Sequence, residues 1–159
     1  LYIVLFTALF ILKNSIMLAH IPTSSMEPTI KSGSKVLVSM VEKNYKDIKF
    51  GDLVVFKAPD NYIDNDEYYV KRVIGLPGDT LSFVEGKVIR NGVMLDEPYI
   101  MEGSRTEAFY DIHKGEFTVP EGQLFLLGDN RENSGDSRFM GYIDFELIEG
   151  KVIKIFNKK

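Results

Sequence analysis

After residue 20, no stretch of the 159-residue chain sustains the 3.6-residue periodicity of an amphipathic helix. Short runs rich in Val, Ile, Leu, Phe and Tyr recur instead, broken every ten residues or so by Gly, Pro, Asn and Asp. A chain of that texture folds by pairing neighbouring strands, and the expected class is mainly β, an antiparallel sheet or barrel-like domain. The runs are 35–41, 52–57, 68–74, 80–84, 87–90, 93–95, 116–119, 123–127 and 147–156. Asn91-Gly92 between Val88-Ile89-Arg90 and Val93-Met94-Leu95 is a two-residue hairpin signal, because both turn positions need positive φ. Leu76-Pro77-Gly78-Asp79 reads as a second tight turn. Residues 82–119 are the most polar and loop-rich, and they separate two motif-dense stretches. We read them as a small β insertion or cap on a main domain formed by residues 20–81 and 120–159.

The N-terminus has a different character. Residues 1–12, LYIVLFTALFIL, carry only Thr7 as a polar residue, and a second apolar cluster follows at 16–19. Twelve helical residues reach roughly 18 Å, short of the roughly 30 Å hydrocarbon core. The stretch is therefore read as a truncated membrane anchor over residues 1–19. A buried N-terminal element is the plainer alternative. A cleaved secretory leader ranks last, because Met17-Leu18-Ala19 is a poor cleavage context.

Composition narrows the chemistry. With no cysteine there is no disulfide, thiolate metal site or thiol nucleophile. A formal charge of −4 gives no electrostatic pull toward nucleic acid, so no nucleic-acid partner is expected. No HExxH, P-loop, GxGxxG or G-x-S-x-G pattern occurs, and no cofactor or metal is expected. The acidic run from Gly128 to Asp136 has the look of a calcium loop, but Arg131 occupies the third loop position, where an oxygen ligand is required. The two histidines, His20 and His113, have no supporting local pattern for a triad.

Three segments remain. In Ile21-Pro22-Thr23-Ser24-Ser25-Met26-Glu27-Pro28-Thr29-Ile30, two prolines bracket a hydroxyl triplet, as suits a rigid loop presenting a serine. In Tyr68-Tyr69-Val70-Lys71-Arg72-Val73-Ile74-Gly75-Leu76-Pro77-Gly78-Asp79, adjacent cations sit within an apolar strand, so alternation sends one of them inward. The third, Gly128 to Gly141, is a dense polar turn after four apolar residues. Taken singly, each has a plain structural reading: a proline-bounded turn, an edge lysine that discourages aggregation, a solvated hairpin loop.

Together they closely resemble the bacterial type I signal peptidases, membrane-bound Ser-Lys proteases that remove signal peptides from exported proteins. The family's serine box, its Y-[VI]-K-R-x-x-G-x-P-G-D box and its G-D-N-R-x-x-S-x-D-S-R box match in order, and Gly51-Asp52-Leu53-Val54-Val55-Phe56 resembles a fourth. The resemblance implies Ser25 as nucleophile and Lys71 as general base, with the Ser134 hydroxyl orienting the Lys71 amine. It implies an oxyanion hole from the Ser25 N–H and Thr23. It implies bracing ion pairs, Asp129 with Arg131 and Arg72, and Asp136 with Arg138. Met26 is the candidate for a substrate-pocket wall. Implied partners are the signal peptides of preproteins, with small residues at positions −1 and −3, and the lipid bilayer. The implied location is the bacterial cell membrane, single-pass, with the catalytic domain on the extracytoplasmic side. The clients are either exported proteins in general or a dedicated set such as pilus subunits. A membrane-tethered β binding module or an inactive homologue is the competing reading. A self-cleaving repressor-type Ser-Lys peptidase is disfavoured, since an apolar stretch stands where a helix-turn-helix would be.

Overall fold

The computed structural model describes residues 16–40, 47–59, 68–110 and 113–158. The apolar run 1–12 lies outside them. The cluster at 16–19, expected to belong to the anchor, instead starts a strand: β1, Ile16–Ile21, pairs antiparallel with β2, Ser34–Met40. As an edge strand it pairs along one side with β2, and Ile21 and the half-buried Ala19 pack into a core cluster with Met26, Val36 and Val55. The connection between these two strands carries the hydroxyl triplet. Its ends are closed by the Gly33 amide donating to the Ile21 carbonyl at 2.7 Å.

The remaining runs form β3 (Leu53–Lys57), β4 (Tyr68–Gly75), β5 (Thr80–Val84), β6 (Lys87–Arg90), β7 (Val93–Met94), β8 (Phe117–Thr118), β9 (Gln123–Leu127) and β11 (Ile148–Phe156). A two-residue strand, β10 (Ile143–Asp144), a single helical turn, α1 (Ser137–Met140), and a 3-10 turn at Phe145–Leu147 also occur among the described residues; all are too short to leave a periodic signal. All pairings are antiparallel, as expected. A seven-stranded sheet has the order β1-β2-β11-β3-β4-β9-β10, and a four-stranded sheet has the order β7-β6-β5-β8. The turn at Asn91-Gly92 has the positive φ values its sequence requires, 52° and 76°.

The chain between β4 and β9 supplies the whole second sheet. The two sheets share a core in which Ile74, Phe125 and Leu127 of the first pack with Leu81, Val88 and Phe117 of the second. The Leu76-Pro77-Gly78-Asp79 turn joins them, with Asp79 bonded to Arg90 and Asn91 of the second sheet at 2.8 and 2.7 Å. β4 occupies the position that matters for chemistry. It is flanked by β3 along Tyr68–Arg72, but β9 reaches it only from Arg72 to Gly75. The segment around Val70 and Lys71 therefore lies beyond the end of the β9 ladder.

Candidate active site

Alternation along β4 sends Lys71 and Arg72 to different tasks. Lys71 is 1% exposed; its Nζ lies 2.8 Å from Ser25 Oγ and 3.0 Å from the Val70 carbonyl oxygen, and 5.5 Å from the centre of the Tyr69 ring. Burial is the largest influence on this amine and disfavours its charged form. Asp136 and Asp129 pull in the opposite direction, Arg138 adds to the lowering, and the net result is a fall from 10.5 to about 8. At pH 7 that raises the neutral fraction from roughly one in a few thousand to about one in ten. An amine that is often neutral and already in hydrogen-bond contact with a hydroxyl has what a general base needs.

Arg72 turns the other way. It makes a bidentate pair with Asp129, Nε to Oδ1 at 2.8 Å and Nη2 to Oδ2 at 2.6 Å, and donates to the Gly51 carbonyl at 2.9 Å. Asp129 also accepts from Thr29 Oγ1, which ties the β4 cation to the serine-bearing connection. The next residue, Asn130, grips that connection directly: its backbone N–H donates to the Ser25 carbonyl and its side chain to the Ser24 carbonyl, both at 3.1 Å. Asp136 and Arg138 form a second buried bidentate pair, and Asp136 Oδ2 accepts from the Gly128 amide.

Three expectations differ from what is found. Arg131 does not pair with Asp129. Its guanidinium is engaged by Glu97, Nη2 to Oε1 at 2.5 Å and Nη1 to Oε2 at 3.1 Å, with further bonds to Thr106 Oγ1 and the Gly128 carbonyl. Asp129 already has both oxygens committed to Arg72 and Thr29, so Arg131 takes its carboxylate from the β7–β8 connection. Ser134 Oγ is buried with no hydrogen-bond partner among the described residues, and Lys71 Nζ is held by Ser25 and Val70 instead. Ser134 nonetheless lies beside the Ser25 backbone: a Cβ on Gly128 would collide with Ser134 Oγ and fall 2.6 Å from the Ser25 carbonyl oxygen. Met26 is fully buried in the cluster of Ile21, Ile30, Val36 and Val55, where it supports the serine connection from below and does not wall a groove.

Glu97, Tyr99 and Thr106 were absent from the sequence expectation. No local pattern marks a carboxylate 34 positions before its arginine. Thr23, Ser25 and Lys71 border one cleft of about 280 Å³, together with Ile21, Tyr68 and Val70. An apolar cavity of about 340 Å³ adjoins it, sharing Ile21, Tyr68 and Val70 and adding Met17, Ala19 and Val55. His20 borders both spaces, whereas His113 is buried against the rings of Phe117, Phe125 and Tyr142.

An antiparallel β fold that sets a loop serine against a buried lysine is an architecture of the serine hydrolase class. The family described as "Signal peptidase, peptidase S26" matches residues 1–156. A probable signal peptidase I-2 of Synechocystis is 37% identical over 142 residues, covering 86% of this chain and 61% of that protein. Signal peptidase I of Bacillus caldolyticus is 36% identical over 152 residues, covering 91% of this chain and 79% of its own length. The crystal structure of a signal peptidase I from Enterococcus faecalis superimposes with a TM-score of 0.56 at 32% identity, over 68% of this chain and 97% of that one. The chain belongs to the signal peptidase I family, serine endopeptidases of the S26 group that process signal peptides.

Proposed function

We propose that the chain is a membrane-anchored endopeptidase that removes N-terminal signal peptides from exported preproteins through a Ser25–Lys71 dyad. The observation that carries this reading is the 2.8 Å approach of a buried, readily neutralised Lys71 amine to Ser25 Oγ. Neutral Lys71 accepts the Ser25 proton as Oγ attacks the carbonyl carbon of the scissile peptide. The Ser25 N–H and Thr23 stabilise the oxyanion. The C–N bond then breaks, the Lys71 ammonium gives its proton to the leaving amine, and an ester joins Ser25 to the signal peptide. Lys71 next takes a proton from water, whose oxygen attacks the ester carbonyl, and returns it to Ser25 Oγ as the ester C–O bond breaks and the signal peptide leaves with a free C-terminal carboxyl group. A neutral amine keeps two N–H donors, one for the Val70 carbonyl and one for Ser134, while its lone pair faces Ser25. That arrangement would give the unpartnered Ser134 hydroxyl its place.

The substrate is an extended peptide added beside the part of β4 that β9 does not reach. Side chains two residues apart lie on one face of a strand. The two adjoining cavities suit residues −1 and −3 in that register, with a small residue at the first. The domain works on the extracytoplasmic face of the bacterial membrane, and β1 leads into the serine connection. Incubation with a preprotein bearing an Ala-x-Ala site, followed by mass measurement of the fragments, tests the reading. Wild type cuts after the second Ala, while Ser25→Ala and Lys71→Ala leave the preprotein whole with the fold retained. Cleavage by a folded Lys71→Ala variant would remove the dyad. Cleavage of pilus subunits but not of general preproteins would establish the narrower client set.

A further inference from the structure

Two residues of the β7–β8 connection each engage an arginine behind the dyad, the buried Arg131 and the partly buried Arg72. Glu97 makes the bidentate pair with Arg131, whose side chain is fully enclosed. Tyr99 lays its ring on the Arg72 guanidinium, 3.9 Å from ring centre to Cζ, on the same group whose edge holds Asp129. The two are joined to each other, because Tyr99 OH donates to Glu97 Oε1 at 2.9 Å. The connection thus holds both arginines through one linked pair of side chains.

We propose that Glu97 and Tyr99 are positioning residues for the Ser25–Lys71 site, acting through Arg131 and Arg72. The proposal rests on the dyad reading above. Arg131 Nε holds the Gly128 carbonyl, and the backbone there lies directly against Ser134 Oγ and the Ser25 carbonyl. The Arg131 carbonyl in turn accepts from Arg138 Nη2, and Arg138 holds Asp136. Arg72 holds Asp129 and adjoins Lys71 on β4. Asp136, Asp129 and Arg138 are the charges that act on the Lys71 amine. Asp129 is held by Arg72, Arg138 by the Arg131 carbonyl, and Asp136 one step further on by Arg138. Neither residue borders the cleft or the adjoining cavity, so neither is placed to bind substrate.

The test uses the full chain and the variants Tyr99→Leu, Tyr99→Phe and Glu97→Gln. Readouts are kcat and KM on an Ala-x-Ala preprotein, titration of the Lys71 amine by NMR of labelled lysine, and circular dichroism for the fold. Tyr99→Leu is expected to keep the fold and lose about tenfold or more in kcat. KM should stay within about twofold, and the Lys71 titration should move up toward the ordinary lysine value as water enters. Tyr99→Phe keeps the ring over Arg72 and should stay near wild type. Glu97→Gln leaves Arg131 buried without its counter-charge and should reproduce the kcat loss. It carries the test if Tyr99→Leu fails to fold. A folded Tyr99→Leu with wild-type kcat and an unmoved Lys71 titration overturns the proposal. So does a loss in Tyr99→Phe as large as in Tyr99→Leu that merely follows the melting temperature. The titration decides even if wild type leaves the preprotein whole, a result that would sink the peptidase reading alone.

Discussion

Replacing Lys71 by methionine separates what the buried amine contributes to chemistry from what it costs the fold. Met is apolar and similar in length, so it can fill the same space beneath Ser25 without a charge to desolvate. In wild type the amine titrates at about 8 in place of 10.5. At about 1.4 kcal/mol per pH unit, the folded state disfavours the ammonium by about 3 kcal/mol. The sign follows from proton counting. Between about 8 and 10.5 the unfolded chain holds more protons than the folded one, so wild-type stability rises with pH across that window. Below about 8 both states are protonated and the cost is present in full; above 10.5 neither is, and it vanishes. Lys71→Met has no such dependence from this site. Its stability relative to wild type should therefore decline by about 3 kcal/mol from neutral pH to the upper end of the window, while cleavage is absent throughout. Urea unfolding followed by circular dichroism at a series of pH values measures the difference, and taking it between two proteins cancels the titration of every other group. A difference that stays constant across the window would refute the claim that Lys71 is buried and destabilised as a cation.

The same titration predicts that kcat/KM rises about tenfold per pH unit below a midpoint near 8 and then levels. A limb near 6.5 that disappears in His20→Ala would transfer the base to histidine. Gly128→Ala drives a methyl group into Ser134 and toward the Ser25 carbonyl. It should cost about 1–3 kcal/mol and about a hundredfold in activity; wild-type cleavage by this variant would show that the Gly128 backbone does not set the site. Asp136→Asn removes the counter-charge of fully buried Arg138 and the charged acceptor of the Gly128 amide. A loss of about 3–5 kcal/mol should be visible in thermal melting, and an unchanged melting temperature would contradict the ion pair.

Much of this site was legible because its chemistry is local in the chain. The prolines flanking Ser25 and the Lys71-Arg72 pair lie within single boxes, as do Asp136 and Arg138, two residues apart. Alternation alone required that Lys71 and Arg72 part company across the strand, and they do. The Asn91-Gly92 turn was equally local, since its φ requirement is a property of two residues. The misreadings share a cause. Ile16–Ala19 looked like the end of an anchor because an apolar run does not reveal whether its backbone will pair with a neighbouring strand; here it pairs with β2, while the side chains of Ile16, Met17 and Leu18 stay exposed. Met26 looked like a groove wall because it follows the nucleophile, yet the loop turns it into the core.

What the sequence determined by itself was the β class, the exclusion of thiol chemistry and the pairing of a serine box with a lysine box. These follow from residue type and short-range spacing. Only the tertiary structure decided which carboxylate satisfies Arg131, because a buried guanidinium takes whatever counter-charge packing delivers, and here that is Glu97 from the second sheet's long connection. It also decided the basicity of Lys71. That property belongs to the closed space formed around the amine by the serine connection, β4 and the Gly128–Arg138 turn, and a lysine's ability to lose its proton near neutral pH depends on such enclosure.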